Sequence, residues 1–219
     1  MIRKIYLIAT ICFLSLYCSG QTIRISYEPG YGFYSLKNLK STQKTMAMQV
    51  NGLPVKAIVQ FPDYITQGAS IGCYLDKNNI VGINASYLTT GGRNYLSDYS
   101  GVYKLDMILN GYQLGIESEH IFNLDNKFDL NANFKLGVIQ SNLDISEYLE
   151  IYNVDHTTSS DQITQTNFFL EPNLSLSYPI RNDIAIKFGV GYNLNTSTFN
   201  NELIDWSGLR TRIGISWSL

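Results

Sequence analysis

Hydrophobic and polar residues alternate with a period of two along most of this 219-residue chain. In the segment 128–138, FDLNANFKLGV, the even-numbered positions from Phe128 to Val138 are apolar. The odd-numbered positions between them are polar or glycine. Apolar residues do not recur here at the i+3 and i+4 positions that an amphipathic helix requires. The pattern therefore predicts a β-strand with one apolar face.

Eight segments share this alternation and predict eight strands. They are 23–33, 69–75, 81–87, 108–116, 128–138, 168–178, 184–192 and 209–219. The apolar faces carry no charged residue, whereas the opposite faces combine charges with many Gly, Ser and Asn. A soluble sandwich or a lipocalin-type barrel also alternates, but it needs a charged outer face. Small polar residues suit a narrow lumen, so the alternation favours a membrane barrel with lipid-facing apolar positions.

The predicted connections alternate between short and long. The short ones contain Asn, Asp or Pro, residues typical of tight turns, and lie at 76–79, 123–127 and 179–183. The long ones cover 37–64, 91–106, 141–163 and 196–207. Outer-membrane barrels have short periplasmic turns and long extracellular loops. The predicted fold is therefore all-β, an eight-stranded antiparallel up-and-down transmembrane β-barrel with both termini in the periplasm.

The first long connection, 37–64, contains a possible helix. Ser35 is a candidate N-cap for a short helix over 36–49. A loose apolar stripe follows that helix, formed by Leu36, Leu39, Met46 and Val50. Residues 55–61 then predict a short extended segment, and we expect both elements over the mouth of the barrel. A mobile loop and a ten-strand barrel that uses this segment are the alternatives.

The first twenty residues predict a secretory signal peptide. A basic start precedes an apolar run, and Cys18, Ser19 and Gly20 supply small residues before Gln21. The barrel domain is then 21–219. In the alternative, Cys18 carries a lipid, although Tyr17 is too large for a good lipoprotein signal. With the signal removed, we expect Cys73 to be unpaired. No later segment has the run of about 18 apolar residues that a transmembrane helix needs.

Composition agrees with two opposed faces. Apolar residues make up 45% of the chain and charged residues only 16%, against about 25% charged in typical soluble domains. The mean hydropathy is nevertheless close to zero, at −0.05, because lipid-facing and lumen-facing positions cancel. The net charge of −2 offers no basic excess, so nucleic acid is not an expected partner.

Three segments carry a family resemblance: GYGFYSLKNLK (30–40), FPDYITQGASIGCYL (61–75) and TTGGRNYLSDYSGVYKLD (89–106). Together with Gln21 they resemble the outer membrane protein β-barrel domain proteins of Bacteroidota, and the eight-strand plan resembles the small OmpA/OmpX-type barrels. The resemblance implies a Gram-negative outer-membrane location among outer-membrane lipids, and it assigns no reaction. The chain lacks the terminal Phe common in such barrels. Ile215, Trp217 and Leu219 keep the alternation expected of a signal for the barrel-assembly machinery.

The predicted lumen face carries charges of both signs. These are Arg24, Glu28, Glu117, Lys135, Glu171, Lys187, Arg210 and Arg212. An eight-stranded barrel is just wide enough to be filled by its own side chains. Unpaired charges there would be costly, so we expect an ion-pair network that plugs the lumen. A narrow gated ion path is the alternative, because an open porin needs about 16 strands.

Catalytic chemistry has weak candidates in the third long connection. His156 with Asp155 and Ser159 offers a base, an orienting acid and a nucleophile for a rim hydrolase acting on lipid or peptide. The same connection is acidic, but it has no EF-hand spacing, and no zinc or phosphate-binding motif occurs in the chain. We therefore expect no metal or cofactor. The polar, Tyr-containing connections indicate a non-enzymatic structural or surface-interaction role with an extracellular ligand or protein.

Overall fold

A computed structural model describes residues 22–34, 36–48, 55–99, 101–125, 127–151, 154–200 and 202–219; for 48, 125, 151, 154–159 and 199 it describes the backbone alone. The elements follow the chain in this order: β1 Ile23–Tyr34, α1 Lys37–Met48, β2 Lys56–Gln60, β3 Tyr64–Tyr74, β4 Asn79–Asp98, β5 Gly101–Asp125, β6 Phe128–Ile151, β7 Val154–Arg181, β8 Ile184–Asn195, α2 Thr196–Asn200 and β9 Gly208–Ser218. All eight predicted strands coincide with these elements, except that Leu75 and Leu219 lie one residue past the ends of β3 and β9.

The described strands pair antiparallel and close into a ring. Each of β3 to β8 pairs with the next strand along the chain, β3 also pairs with β1, and β1 pairs with β9. The chain ends contribute to this closure, because Leu219 donates its N–H to the Ile23 carbonyl at 2.7 Å. The wall therefore has eight strands, β1 and β3 to β9, and the predicted barrel architecture is confirmed.

The two faces of the wall have the predicted chemistry. Apolar side chains on the outward face are widely exposed, for example Leu114 at 60% and Phe168 at 65%. On the inward face, Arg210 and Glu171 are both fully buried. In a soluble barrel the apolar face would be the buried one. The inversion follows from the sequence, because each strand places its charged and small polar residues on the lumen side.

Two predicted long connections are themselves β-hairpins. Segment 91–106 lies mostly in β4 and β5, which remain paired up to Asp98 and Gly101. Segment 141–163 likewise continues β6 and β7, which remain paired up to Ile151 and Val154. These strands, together with β2, project past the ends of β1, β3, β8 and β9. We call the upper parts of β4 to β7 (89–98, 101–110, 140–151 and 154–166) with β2 the projecting sheet.

The first long connection folds back over the barrel at the end where the long hairpins lie. Helix α1 begins at Lys37, one residue later than predicted, because Leu36 has a positive φ of 41°. The Leu36 carbonyl accepts the N–H of Lys40 at 2.9 Å, so Leu36 occupies the N-cap position. Ser35 and Val50 lie outside the described residues. Strand β2 pairs with β4 and adds a ninth strand to the sheet, but it does not enter the eight-stranded ring.

Cys73 is disulfide-bonded in the 219-residue chain. The expectation of an unpaired Cys73 concerns the shorter, processed chain, so the structure of the full chain does not test it. It rested on removal of residues 1–20, which contain the other two cysteines, Cys12 and Cys18. In the part of the chain that the structure describes, no helix is both long and apolar enough to cross a membrane.

Candidate functional site

Glu119 forms the centre of an ion-pair cluster near the short-turn end of the lumen. Arg24 donates from Nη1 to Glu119 Oε1 at 2.7 Å, and Lys187 Nζ lies 2.9 Å from the same oxygen. Asn133 Nδ2 adds a longer hydrogen bond at 3.3 Å. All four side chains are buried. One carboxylate from β5 thus joins β1, β6 and β8 across the barrel.

Lys135 forms the next level of the lumen. Its Nζ donates to Glu28 Oε2 at 3.0 Å and lies 3.7 Å from Glu117 Oε2. Lys135 and Glu117 face each other on paired strands, since they are register partners of β5 and β6. Glu28 comes from β1 on another part of the wall. The lysine therefore joins carboxylates from two different strands.

Glu171 forms the level closest to the long hairpins. Arg210 donates from Nη1 to Glu171 Oε2 at 2.7 Å, and Arg212 forms a second ion pair with Oε1. Arg210 also donates to Gln113 Oε1 at 2.8 Å and to the hydroxyl of Tyr34. The guanidinium of Arg210 is thereby held by three different strands. Such forked geometry is what arginine supplies and lysine does not.

The lumen network combines these three levels and contains nine charged side chains. They are Arg24, Glu28, Glu117, Glu119, Lys135, Glu171, Lys187, Arg210 and Arg212. The structure therefore brings all eight predicted lumen residues together and adds Glu119. Because five basic and four acidic groups pair across the bore, the network fills the lumen with fixed, nearly balanced charge.

An apolar cap covers the lumen network at the long-hairpin end. It consists of Tyr34, Leu36, Leu39, Phe61, Tyr64, Leu88, Tyr103, Leu105, Met107, Leu109, Ile139, Leu143, Phe169, Ile204 and Trp206. Trp206 packs edge-on against Tyr64 at 4.9 Å between centroids, and its Nε1 donates to Ser141 Oγ at 2.9 Å. Tyr34 belongs to both regions, because its ring lies in the cap and its hydroxyl contacts Arg210.

Side-chain hydrogen bonds fasten the cap to the projecting sheet. Gln43 of α1 donates to Asn94 Oδ1 at 2.9 Å, and Asn94 Nδ2 donates to the Gln43 carbonyl at 3.0 Å. On the other side, Gln165 Nε2 donates to Glu202 Oε2 and to the Ile204 carbonyl, each at 2.8 Å. These contacts hold α1 and the β8–β9 connection over the barrel mouth.

The outward face of the projecting sheet is polar and carries ion pairs. Asp106 accepts from Arg93 Nη2 at 3.1 Å and lies 2.8 Å from Lys104 Nζ. Partial burial alone would raise the pKa of the Asp106 carboxyl, but Arg93 and Lys104 outweigh it and hold the pKa below its ordinary value. On the inward face, burial and the neighbouring Glu147 raise the pKa of Tyr103. Among the described side chains of this sheet, the pKa shift at Asp106 thus follows from surface ion pairs and the pKa shift at Tyr103 from burial and Glu147.

The candidate hydrolase residues lie near the tip of the β6–β7 hairpin. The backbone of Asp155 is opposite Glu150 and that of His156 is opposite Leu149, while Ser159 falls at a register shift of the ladder. Their side chains are outside the described part of the structure. The other histidine, His120, lies at the short-turn end with Nδ1 2.7 Å from Asn79 Oδ1. Among the described residues, no group of three His, Cys, Asp or Glu could hold a metal ion.

The predicted assembly-signal residues lie at the end of the closing strand, with Leu219 directly after β9. Trp217 and Leu219 face outward and are 40% and 75% exposed, and Ile215 lies on the same face of β9.

Two features of the site were not predicted from the sequence. Glu119 follows Glu117 by two residues and therefore shares its face, but the predicted strand ended at 116. Trp206 belongs to a connection with no alternation, and no pattern pointed to it.

Comparison with known proteins finds resemblances among solved structures. No sequence family matches the chain, and no curated protein sequence matches it. Solved structures that resemble it include small outer-membrane β-barrel proteins and also the outer membrane protease OmpT of Escherichia coli. Ail of Yersinia pestis is 10% identical with a TM-score of 0.45, over 91% of this chain and 99% of that one. OprG of Pseudomonas aeruginosa is 12% identical with a TM-score of 0.45, over 90% and 94%. Neisserial surface protein A is 11% identical with a TM-score of 0.43, over 90% and 96%.

Proposed function

We propose that this chain is a non-enzymatic outer-membrane β-barrel protein that acts by displaying its projecting sheet at the cell surface. The carrying observation is a closed ring with an exposed apolar outer face and a lumen filled by paired charges. On β7 the outward apolar positions run from Phe168 to Tyr178, which matches the roughly 9–11 tilted residues that cross a bilayer. Above Phe168 the outward residues are Thr166, Thr164 and Gln162, so the apolar belt ends there.

The filled lumen supports a surface role over transport. The bore is occupied by the lumen network and covered by the apolar cap, with Leu39, Met107 and Trp206 fully buried. Ions crossing such a barrel would have to displace both layers. Membership of the Bacteroidota outer membrane β-barrel family, removal of residues 1–20 as a signal peptide, and recognition of Ile215, Trp217 and Leu219 by the assembly machinery belong to this proposal. They rest on the sequence patterns given above.

Cysteine labelling of intact cells tests the location and orientation together. In a Cys73→Ser background, Tyr99→Cys places a thiol at the β4–β5 turn, where Tyr99 is 99% exposed. Lys77→Cys places a matched thiol in the exposed β3–β4 turn at the opposite end. We expect a membrane-impermeant maleimide to label the first variant on intact cells and the second only after lysis. The reverse pattern, or identical gel mobility of boiled and unboiled protein, would overturn the proposal.

Planar-bilayer recordings and hydrolysis assays test the alternatives. The filled lumen predicts no conductance steps above those of an empty bilayer, so reproducible steps from the purified barrel would establish the channel instead. Hydrolysis of lipid or peptide substrates that is lost in His156→Ala would establish the rim hydrolase.

A further inference from the structure

The upper part of β7 has one unpaired edge. Strand β8 ends at Asn195, which is the register partner of Phe169, whereas β7 begins at Val154. Residues 154–168 therefore pair with β6 on one side, and no described strand pairs with them on the other. Unpaired strand edges are templates for the addition of another strand.

The break in the ladder at Pro172 shows which residues face this edge. The β7–β8 register passes from Leu170↔Leu194 directly to Asn173↔Gly191, while the β6–β7 pairing at Pro172 is intact. The backbone nitrogen of Pro172, which carries no hydrogen, therefore points toward β8. Every second residue faces the same way, so Thr164 and Thr166 present their N–H and C=O groups to the open edge.

The N–H groups on either side of these two threonines along the edge are already hydrogen-bonded, so Thr164 and Thr166 are its open positions. The N–H of Phe168 already donates to Thr196 Oγ1 at 3.1 Å, which closes the edge at the top of β8. The N–H of Gln162 is bonded to Asp161 Oδ1 at 2.8 Å. Between these two points, neither Thr164 nor Thr166 has a hydrogen-bond partner for its N–H among the described residues.

The hairpin that carries this edge is acidic. Five carboxylates lie between 140 and 165, at Asp144, Glu147, Glu150, Asp155 and Asp161. The segment 136–180 contains no Lys or Arg. Asp144 and Asp161 are exposed. Their register partners are Gln162 and Ile145, so both carboxylates lie at the level of the open edge. Like charges would oppose the pairing of two copies through this edge, whereas a basic strand would be attracted to it.

We propose that the open edge of β7 binds an extended, lysine- or arginine-rich segment of a partner protein by strand addition. The partner strand runs antiparallel to β7, in the position that β8 would occupy if it continued past Asn195. Main-chain hydrogen bonds to Thr164 and Thr166 supply the pairing, and the carboxylates select basic side chains. This inference rests on the proposed function, because it assigns a partner class to the displayed sheet.

A proline substitution tests the edge without breaking the hairpin. Thr164→Pro removes the N–H that points to the open edge. The proline ring is tolerated in this orientation because Pro172 occupies an equivalent position on the same strand. Thr164→Val is the matched control, since it loses the hydroxyl bond to Asn142 (3.2 Å) but keeps the N–H. The probe is a fluorescein-labelled decapeptide of alternating lysine and threonine, measured by anisotropy against the barrel in nanodiscs.

We expect the wild type and Thr164→Val to bind alike and Thr164→Pro to bind about tenfold more weakly. Asp144→Asn with Asp161→Asn is expected to weaken binding and to flatten its salt dependence. Equal binding by the proline and valine variants would overturn the proposal, as would equal binding of a probe N-methylated at alternate residues. Absence of binding to wild-type barrel would also overturn it. If Tyr99→Cys is still labelled on intact cells, the proposed function survives that failure.

Discussion

Arg210 Nη1 lies 2.7 Å from Glu171 Oε2, and both side chains are fully excluded from solvent. Arg212 pairs with the second oxygen of the same carboxylate, and Asn193 Nδ2 donates to Oε2 at 3.1 Å. Glu171 is therefore the shared counter-ion of two guanidinium groups at the level where the lumen meets the apolar cap. The desolvation of these ions is offset only while all partners are present.

Glu171→Gln is expected to destabilise the barrel strongly. The substitution keeps the shape of the side chain but leaves Arg210 and Arg212 without their shared counter-ion. Removing one partner of a buried pair typically costs about 3–5 kcal/mol. Denaturant unfolding of the barrel refolded in lipid vesicles measures this loss.

The control is the exposed pair Arg181–Asp183, at 2.9 Å and with side chains 75% and 43% exposed. Asp183→Asn should change the unfolding free energy by less than about 1 kcal/mol, because surface pairs contribute little. If Glu171→Gln costs no more than Asp183→Asn, the ion pairs of the lumen do not hold the barrel together.

Glu119 and Glu117 provide a second comparison within one strand. Glu119 holds both Arg24 and Lys187 at short distances. Among the described residues, the ion-pair partner of Glu117 is Lys135 at 3.7 Å, and that lysine lies closer to Glu28, at 3.0 Å. Glu119→Gln should therefore lower the unfolding free energy more than Glu117→Gln, in the same unfolding assay. A larger effect at Glu117 would mean that the two carboxylates do not have the roles that their contacts assign.

The alternation of apolar and polar residues predicts the wall of the barrel but not what lies above it. In β6 the outward residues Phe134 and Leu136 are apolar, and the alternation then changes phase at Val138 and Ile139. From there the inward positions Ile139 and Leu143 are apolar and fully or almost fully buried. The phase change marks the point where the strand leaves the apolar belt and begins to enclose the cap. In the sequence alone this phase change resembles the end of a strand, so the residues after it were predicted as a long connection.

The cap depends on contacts between distant segments, which no local pattern records. Trp206 meets Tyr34 and Tyr64 only because the β8–β9 connection folds back over the bore. The hydrogen bonds of Gln43 with Asn94 join residues 51 positions apart. Glu119, by contrast, was within reach of sequence reasoning, because it continues the face of Glu117 by one further strand step.

Asp106 gives a prediction for pH on the projecting sheet. Its pKa is held below the ordinary value, with Arg93 and Lys104 outweighing the opposing effect of partial burial. A carboxyl with a depressed folded-state pKa stabilises the fold above its unfolded pKa of about 3.9, and this contribution is lost as pH falls through the folded value. NMR titration of the Asp106 carboxyl should show the depression, and Arg93→Ala should raise the pKa. Arg181→Ala, at the opposite end, should leave it unchanged; an unshifted pKa in Arg93→Ala would contradict the assignment.

The two tryptophans of the chain offer a direct measurement of which face meets lipid. Trp217 lies on the outward face of β9 and is 40% exposed, whereas Trp206 is completely buried in the apolar cap. Trp206→Phe leaves Trp217 as the single emitter, and Trp217→Phe leaves Trp206. In vesicles of brominated phosphatidylcholine, contact with the acyl chains should quench most of the Trp217 emission and little of the Trp206 emission. In a soluble protein neither variant would respond to bromination, and stronger quenching of Trp206 would place the apolar cap, rather than the outward face, against the bilayer.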